Sequence, residues 1–283
     1  MTRRARQLLA AAIGLALGAA ACARRPAPAA SPAPHLIEAE AALTDVGVTV
    51  RDLGGGAYLA VQESPRGSAA NILVVRMQDG TVVFCSSPYD TEATRALVRW
   101  ARARLSPARM VAINTHFHAD GTGGNEGYAA EGVETYASDH TSRLQAARGV
   151  AGLLGMATYV QADAPALAAR VRATRFTRAA HEFAEAEGLT VKAGAEEARA
   201  LFVGAGHSAD NLVVYFPERG VLFGGCMVRS HPGLGNTADA DLDHWATSAE
   251  AALALGARVV IPGHGEPGGP ELLTATATKA REH

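Results

Sequence analysis

The ten residues Asn114-Thr115-His116-Phe117-His118-Ala119-Asp120-Gly121-Thr122-Gly123 carry two imidazoles and a carboxylate at alternate positions. In extended backbone, side chains at i, i+2 and i+4 project to one side. His116, His118 and Asp120 would then converge on one small region, whereas a helix would scatter them. Nitrogen and carboxylate donors at that spacing are a ligand set for a divalent metal, zinc before others. Three further residues able to ligate follow, each beside glycine. They are His207 in Gly204-Ala205-Gly206-His207-Ser208-Ala209-Asp210-Asn211, Cys226 in Phe223-Gly224-Gly225-Cys226-Met227, and His264 in Ile261-Pro262-Gly263-His264-Gly265. Glycine permits the tight turns and close backbone approach needed where a ligand must be aimed.

The elements around these residues can be read in outline. Val48 to Gln62, Ala70 to Val75 and Thr81 to Cys85 are β-rich, with Gln78-Asp79-Gly80 as a turn. Asp90 suits the N-cap of a helix from Thr91 to Leu105, whose Ala93, Leu97, Trp100 and Leu105 form an apolar stripe. Met110 to Ile113 is a short strand that runs directly into the histidine motif. The second half repeats the theme, with strands near Ala200 to Gly204, Asn211 to Phe216 and Val221 to Gly224, a helix from Asp241 to Leu255, and a strand from Arg258 to Ile261. Two strand-rich halves with helices, each contributing ligands at strand ends, predict two stacked sheets with helices outside. Residues 149–187 repeat nothing and read as a helical insertion, with Asp163 as cap, Pro165 in the first turn, and Leu167, Val171 and Phe176 as its stripe.

At 283 residues, 48% hydrophobic and 19% charged, the chain suffices for one large domain, and a net charge of −2 argues against a nucleic-acid binder. A small-molecule substrate is expected. Arg3, Arg4 and Arg6 precede an apolar run from Leu8 to Ala21 that is too short to span a membrane as a stop-transfer helix. Residues 1–22 therefore read as an export signal, with Cys22 either lipidated or lost on cleavage. Residues 23–35, rich in Ala, Pro and Arg, read as a tether, and residues 36–283 as the folded domain. The protein is expected in the periplasm, possible membrane attachment running through Cys22, and as a monomer. Of the other cysteines, Cys85 reads as a small buried hydrophobe, and a metal would keep Cys226 reduced. The remaining histidines, His35, His140, His181, His231, His244 and His283, read as hydrogen-bonded or solvated.

His-x-His-x-Asp, then Gly-His-Ser, Gly-Gly-Cys and Pro-Gly-His-Gly in that order resemble the metallo-β-lactamases, specifically subclass B1, over roughly Leu53 to Glu271. The resemblance implies an α/β fold, the αβ/βα four-layer sandwich, with two zinc ions in a groove at one edge. It implies hydrolysis of β-lactam antibiotics (penicillins, cephalosporins, carbapenems) by a metal-bound hydroxide, and antibiotic resistance. Carried over, His116, His118 and His207 would bind the first zinc, and Asp120, Cys226 and His264 the second. Three neutral imidazoles would leave the first ion its full charge and an open position. Asp120 would also orient the nucleophile. Relatives acting on thioesters, phosphodiesters or lactones usually place another histidine where this chain has Gly121, and lack a cysteine in the role of Cys226. Arg229 falls where the family has a lysine for the substrate's carboxylate, and arginine can make that contact with a two-pronged hydrogen bond. Asn236 matches an asparagine that helps hold the lactam.

Departures from the subclass point to one branch. Ser64-Pro65-Arg66-Gly67-Ser68 is short and lacks an aromatic tip, so it would cover substrate poorly, and Ser86 stands where many members have a supporting aspartate. With the insertion, these features are similar to the São Paulo type, in which inserted helices cover the groove. Two other functions stay open at this point: a dizinc hydrolase of a lactone or other cyclic ester or amide, and a zinc-binding lipoprotein without turnover.

Overall fold

The computed structural model describes residues 34–283. The export signal expected over 1–22 and the tether up to residue 33 lie outside the described residues. Residues 34 and 35, placed at the end of the tether by sequence, belong to the first helix, α1 (Pro34–Asp45).

Seven strands pair in chain order to form one sheet: β1 (Val48–Gly54), β2 (Ala57–Gln62), β3 (Ala70–Arg76), β4 (Thr81–Cys85), β5 (Arg109–Ile113), β6 (Glu134–Ser138) and β7 (His181–Phe183). Pairing is antiparallel up to β4 and parallel beyond it. A second sheet comprises β8 (Leu189–Ala193), β9 (Glu196–Phe202), β10 (Leu212–Phe216), β11 (Val221–Gly225) and β12 (Val259–Pro262), in the order β12-β11-β10-β9-β8.

The near-continuous apolar runs of β3 to β5 follow from burial on both faces. Leu73, Val83, Val111 and Ile113 point between the sheets, against Val214, Phe216, Phe223 and Ile261. Their neighbours Ile72, Val74, Val82 and Phe84 point outward against α1, α2 (Thr91–Leu105) and α4 (Asn125–Ala130), through Leu43, Leu97, Trp100 and Tyr128. On the far side, Val213, Leu222 and Val260 meet α7 (Leu242–Leu253) and α8 (Glu271–Glu282), through Trp245 and Leu273. The layers are therefore helix, sheet, sheet, helix, the four-layer sandwich expected. Asp90 caps α2 as expected, its Oδ1 accepting from the Ala93 N–H at 2.9 Å.

The insertion differs in detail from its sequence reading. The boundary at 149 falls inside a single helix, α5 (Asp139–Val160), which is capped by Ser138 through a 3.0 Å bond from the Thr141 N–H. The helix α6 (Pro165–Ala173) has Pro165 in its first turn, but Ala164 and not Asp163 occupies the cap position. Asp163 instead pairs with Arg66 at 2.5 Å, joining the insertion to the short β2–β3 turn. Phe176 lies beyond the helix, its ring filling the space beside Gly149. The segment also contains β7, which returns to the edge of the first sheet.

Candidate metal centre

β5 ends at Ile113, and the next residues leave the sheet edge where the two sheets approach. The Leu212 N–H donates to the Thr115 carbonyl at 2.7 Å, and the Asn71 N–H to the Gly263 carbonyl at 2.9 Å, so both sheets meet there. The chain bends over residues 116–118, His118 itself being extended, and a single helical turn, α3 (Ala119–Thr122), follows. Asp120 therefore does not continue the extended alternation expected from sequence. The chain turns at His118 and brings Asp120 Oδ1 back to 3.4 Å from His116 Nε2. Gly121 makes this turn possible, because a Cβ there would come within 2.3 Å of the His116 carbonyl oxygen. A side chain at that position would force the loop backbone to shift.

The other three residues arrive from the second sheet. His207 lies in the turn before β10, beside Gly206, where a Cβ would stand 3.0 Å from the Trp245 ring. Cys226 follows β11 through Gly225 at φ +55°, and the Trp245 indole N–H fixes the next carbonyl, that of Met227, at 2.7 Å. His264 follows β12 through Gly263, whose missing Cβ would sit 2.7 Å from the Cys226 Sγ. The His264 Nδ1 donates to the Ala69 carbonyl at 2.9 Å, leaving Nε2 to face the cluster.

All six residues are brought together. His118 Nδ1 and His207 Nε2 are 3.1 Å apart, and with a His116 nitrogen they form a trio within 4.8 Å. Cys226 Sγ is 2.9 Å from Asp120 Oδ2 and 3.3 Å from His264 Nε2, while His264 Nε2 and Asp120 Oδ2 are 3.1 Å apart. Asp120 and Cys226 also group with His116. His116 Nε2 is buried with no hydrogen-bond partner, a costly state for a polar atom unless a ligand takes its lone pair. That orphaned nitrogen, together with a carboxylate, a thiol and imidazoles crowded into one cluster, fits a divalent metal centre.

The protein's own charges tune the donors in opposite directions. Burial opposes ionisation of Asp120, but His116 and His264 outweigh it and hold the carboxyl well below its usual range. Burial and the Asp120 charge push the Cys226 thiol up. Burial and the neighbouring imidazoles push His207 and His118 down, which keeps their lone pairs free to ligate. For His116 burial is outweighed by Asp120, and its pKa rises.

A groove of about 840 Å³ runs along this edge, with Arg229, Asn236, Tyr89 and α5 among its walls. The Arg229 guanidinium lies against Gly235, where a Cβ would be 2.4 Å away, and its Nε is buried without a partner. The Asn236 Oδ1 accepts from the Ala238 N–H at 3.1 Å. Sequence reasoning missed Asp239 and Arg148. Asp239 Oδ2 is 2.9 Å from His118 Nε2, fixing the ring so that Nδ1 faces the cluster, and Arg148 Nη1 is 2.6 Å from Asp239 Oδ1. Asp239 lies three residues after Asn236, but a lone aspartate carries no spacing signal. Among the other histidines, His140 pairs with Glu185, His181 stacks on Tyr136, and His244 pairs with Asp241. Cys85 is fully buried, its thiol pushed up by burial, in line with a small core residue.

A helix-flanked double sheet with a histidine, aspartate and cysteine cluster at one edge defines a metallo-hydrolase architecture. The sequence pattern of the Metallo-beta-lactamase superfamily matches residues 90–264. The chain is 31% identical to a type 2 metallo-beta-lactamase of Pseudomonas aeruginosa, covering 69% of this chain and 67% of the relative. It is 30% identical to the type 2 enzyme of Bacteroides fragilis, covering 67% of each. A solved metallo-beta-lactamase from Pontibacter korlensis superposes with a TM-score of 0.69 at 27% identity, over 83% of this chain and all (100%) of that one. The chain belongs to the metallo-β-lactamase superfamily and is a hydrolase of that type, with homologues among the B1-type enzymes.

Proposed function

We propose that this hydrolase opens the β-lactam amide of penicillins, cephalosporins and carbapenems, using two zinc ions. His116, His118 and His207 would hold the first ion, and Asp120, Cys226 and His264 the second. The observation that carries the reading is Cys226 Sγ 2.9 Å from Asp120, next to Gly121, where a Cβ would press on the His116 carbonyl. A thiolate takes the place of the extra histidine that the ester and lactone hydrolases of this fold use. Bound zinc would supply Lewis acidity and a water acidic enough to lose its proton near neutral pH. Asp120 would orient the nucleophile as well as ligate, its carboxyl kept ionised by His116 and His264. The Arg229 guanidinium would bind the substrate's carboxylate in two-pronged fashion. Asn236, its Oδ1 held by Ala238, would turn its amide N–H toward the lactam carbonyl.

The wall that α5 raises over the groove, and the short turn at residues 64–68, support membership of the São Paulo type branch. For residues 1–22 we propose export to the periplasm with Cys22 lipidated, which the mass of the mature N-terminal peptide would test, and for the domain a monomeric state, which sedimentation would test. The activity is tested by hydrolysis of a carbapenem, a cephalosporin and a lactone by zinc-supplemented protein, with and without chelator, beside a metal count. Chelator-sensitive β-lactam turnover with about two zincs per chain is expected. Lactone turnover alone would move the substrate class, and bound zinc with no hydrolysis would leave a non-catalytic zinc protein.

A further inference from the structure

Two polar residues of α5, one turn apart, reach the metal loop from opposite ends. The Gln145 Nε2 donates to Asn114 Oδ1 at 3.1 Å, and Asn114 in turn donates to the Gly121 carbonyl at 3.0 Å, bracing the base of the loop. Arg148 reaches its tip. The Arg148 Nη1 pairs with Asp239 Oδ1 at 2.6 Å while Asp239 Oδ2 holds His118 Nε2 at 2.9 Å, so one carboxylate is shared between a guanidinium and a ligand. The same guanidinium lies 4.8 Å over the Phe117 ring, which itself packs 4.3 Å from the His118 ring, centroid to centroid. Arg148 therefore restrains His118 from two sides, through the carboxylate behind it and through the aromatic ring beside it.

We propose that Arg148 is a positioning residue for the first metal ion, orienting His118 through Asp239 and Phe117 and so coupling α5 to metal affinity. The proposal rests on the assignment of His118 to the first ion, not on the identity of the substrate. A surface ion pair by itself contributes little to stability, and the Arg148 side chain is 48% exposed. Its effect comes from geometry, since a ligand's outer partners set the direction of its lone pair, and their loss typically weakens metal binding about 10- to 100-fold.

The test uses full-length protein and its Arg148→Ala, Arg148→Gln and Arg148→Lys variants, with Arg143→Ala as a control on the same helix. Cobalt(II) is titrated against a chromophoric chelator while the thiolate-to-cobalt band, which reports the Cys226 site, and the ligand-field bands are followed. Arg148→Ala is expected to lose about tenfold in affinity for the ion that gives no thiolate band, with shifted ligand-field bands and an unchanged thiolate band. Arg148→Gln, which keeps a polar side chain but removes the guanidinium from Asp239 and Phe117, should lose affinity too. Arg148→Lys should recover part of it, and Arg143→Ala should match the unaltered protein. Affinity unchanged in Arg148→Ala and Arg148→Gln would overturn the proposal, as would equal weakening of both ions. A rise in KM with metal binding untouched would overturn it as well, making Arg148 a substrate contact. Because no antibiotic enters the titration, a protein that shows this metal dependence yet spares β-lactams would refute the proposed activity and leave this inference intact.

Discussion

Cys226 enters the site as a thiol, since burial and the Asp120 carboxylate both raise its pKa, yet a metal takes it only as thiolate. At pH 7.5 it is protonated in the metal-free protein, so metal binding must expel that proton. Loading the unaltered protein is expected to release about one proton more per chain than loading Cys226→Ser, read by calorimetry in buffers of different ionisation enthalpy. Arg229 offers a second test. Burial lowers the pKa of its guanidinium against the weaker pull of Cys226 and Asp120, so a substrate carboxylate would gain a charged hydrogen bond in a shielded place. Arg229→Ala is expected to raise KM for a β-lactam about 10- to 100-fold with kcat changed much less, measured by steady-state hydrolysis. At this scale the six candidate ligands were legible, His116, His118 and Asp120 from their alternate spacing after a strand, and His207, Cys226 and His264 from the glycines beside them. Asp239 and Arg148 were not, since their partnership spans ninety-one positions of sequence and leaves no local trace.

Among the elements, α5 shows why the middle of the chain was read with the wrong boundary. Its buried side includes Thr141, Ser142, Gln145 and Gly149, while Val150, Leu154 and Tyr159 are exposed, so the apolar stripe that marks a surface helix is scrambled. The helix was legible only where packing is conventional, in α6, whose Leu167, Ala168 and Val171 face inward. Those residues join Tyr89, Ala119 and Ala70 in one cluster, so α6 is part of the folded core and not a loose cover. Leu167→Ala is expected to cost about 2–5 kcal/mol in denaturant unfolding, in a single transition with the rest of the domain. A separate early transition would instead mark the insertion as an independent unit. The missed strands are short: β6 and β8 have five residues each and β7 three, too few in β7 to show an alternation. The strands β3, β4, β5, β10 and β11 were visible because both of their faces are apolar.

On the scale of the whole molecule, the candidate ligands come from both sheets, with His116, His118 and Asp120 following the first and His207, Cys226 and His264 adjoining the second. A metal bound across that edge stabilises only the folded chain, by an amount that grows with the logarithm of free metal over Kd. Removing it with a chelator is expected to lower the thermal midpoint, with the loss reversed by zinc and smaller in Cys226→Ser; scanning calorimetry at fixed protein concentration would read both. The central strands are apolar on both faces and the flanking helices on one, which is why the fold class could be read from residue pattern before any pairing was known, while the order of strands within each sheet could not.

The hydrogen bonds from Leu212 to Thr115 and from Asn71 to Gly263 close the two sheets together at the ligand-bearing edge without using any ligand atom. The loops are therefore fastened by the backbone, and the centre has a memory of its shape that does not reside in the ion. A chain stripped of metal in a zinc-poor compartment would keep its loops in register, resist proteases for longer than a metal-nucleated fold, and resume work as soon as zinc returned. Its lifetime would then be set by the sandwich and its activity by the supply of metal.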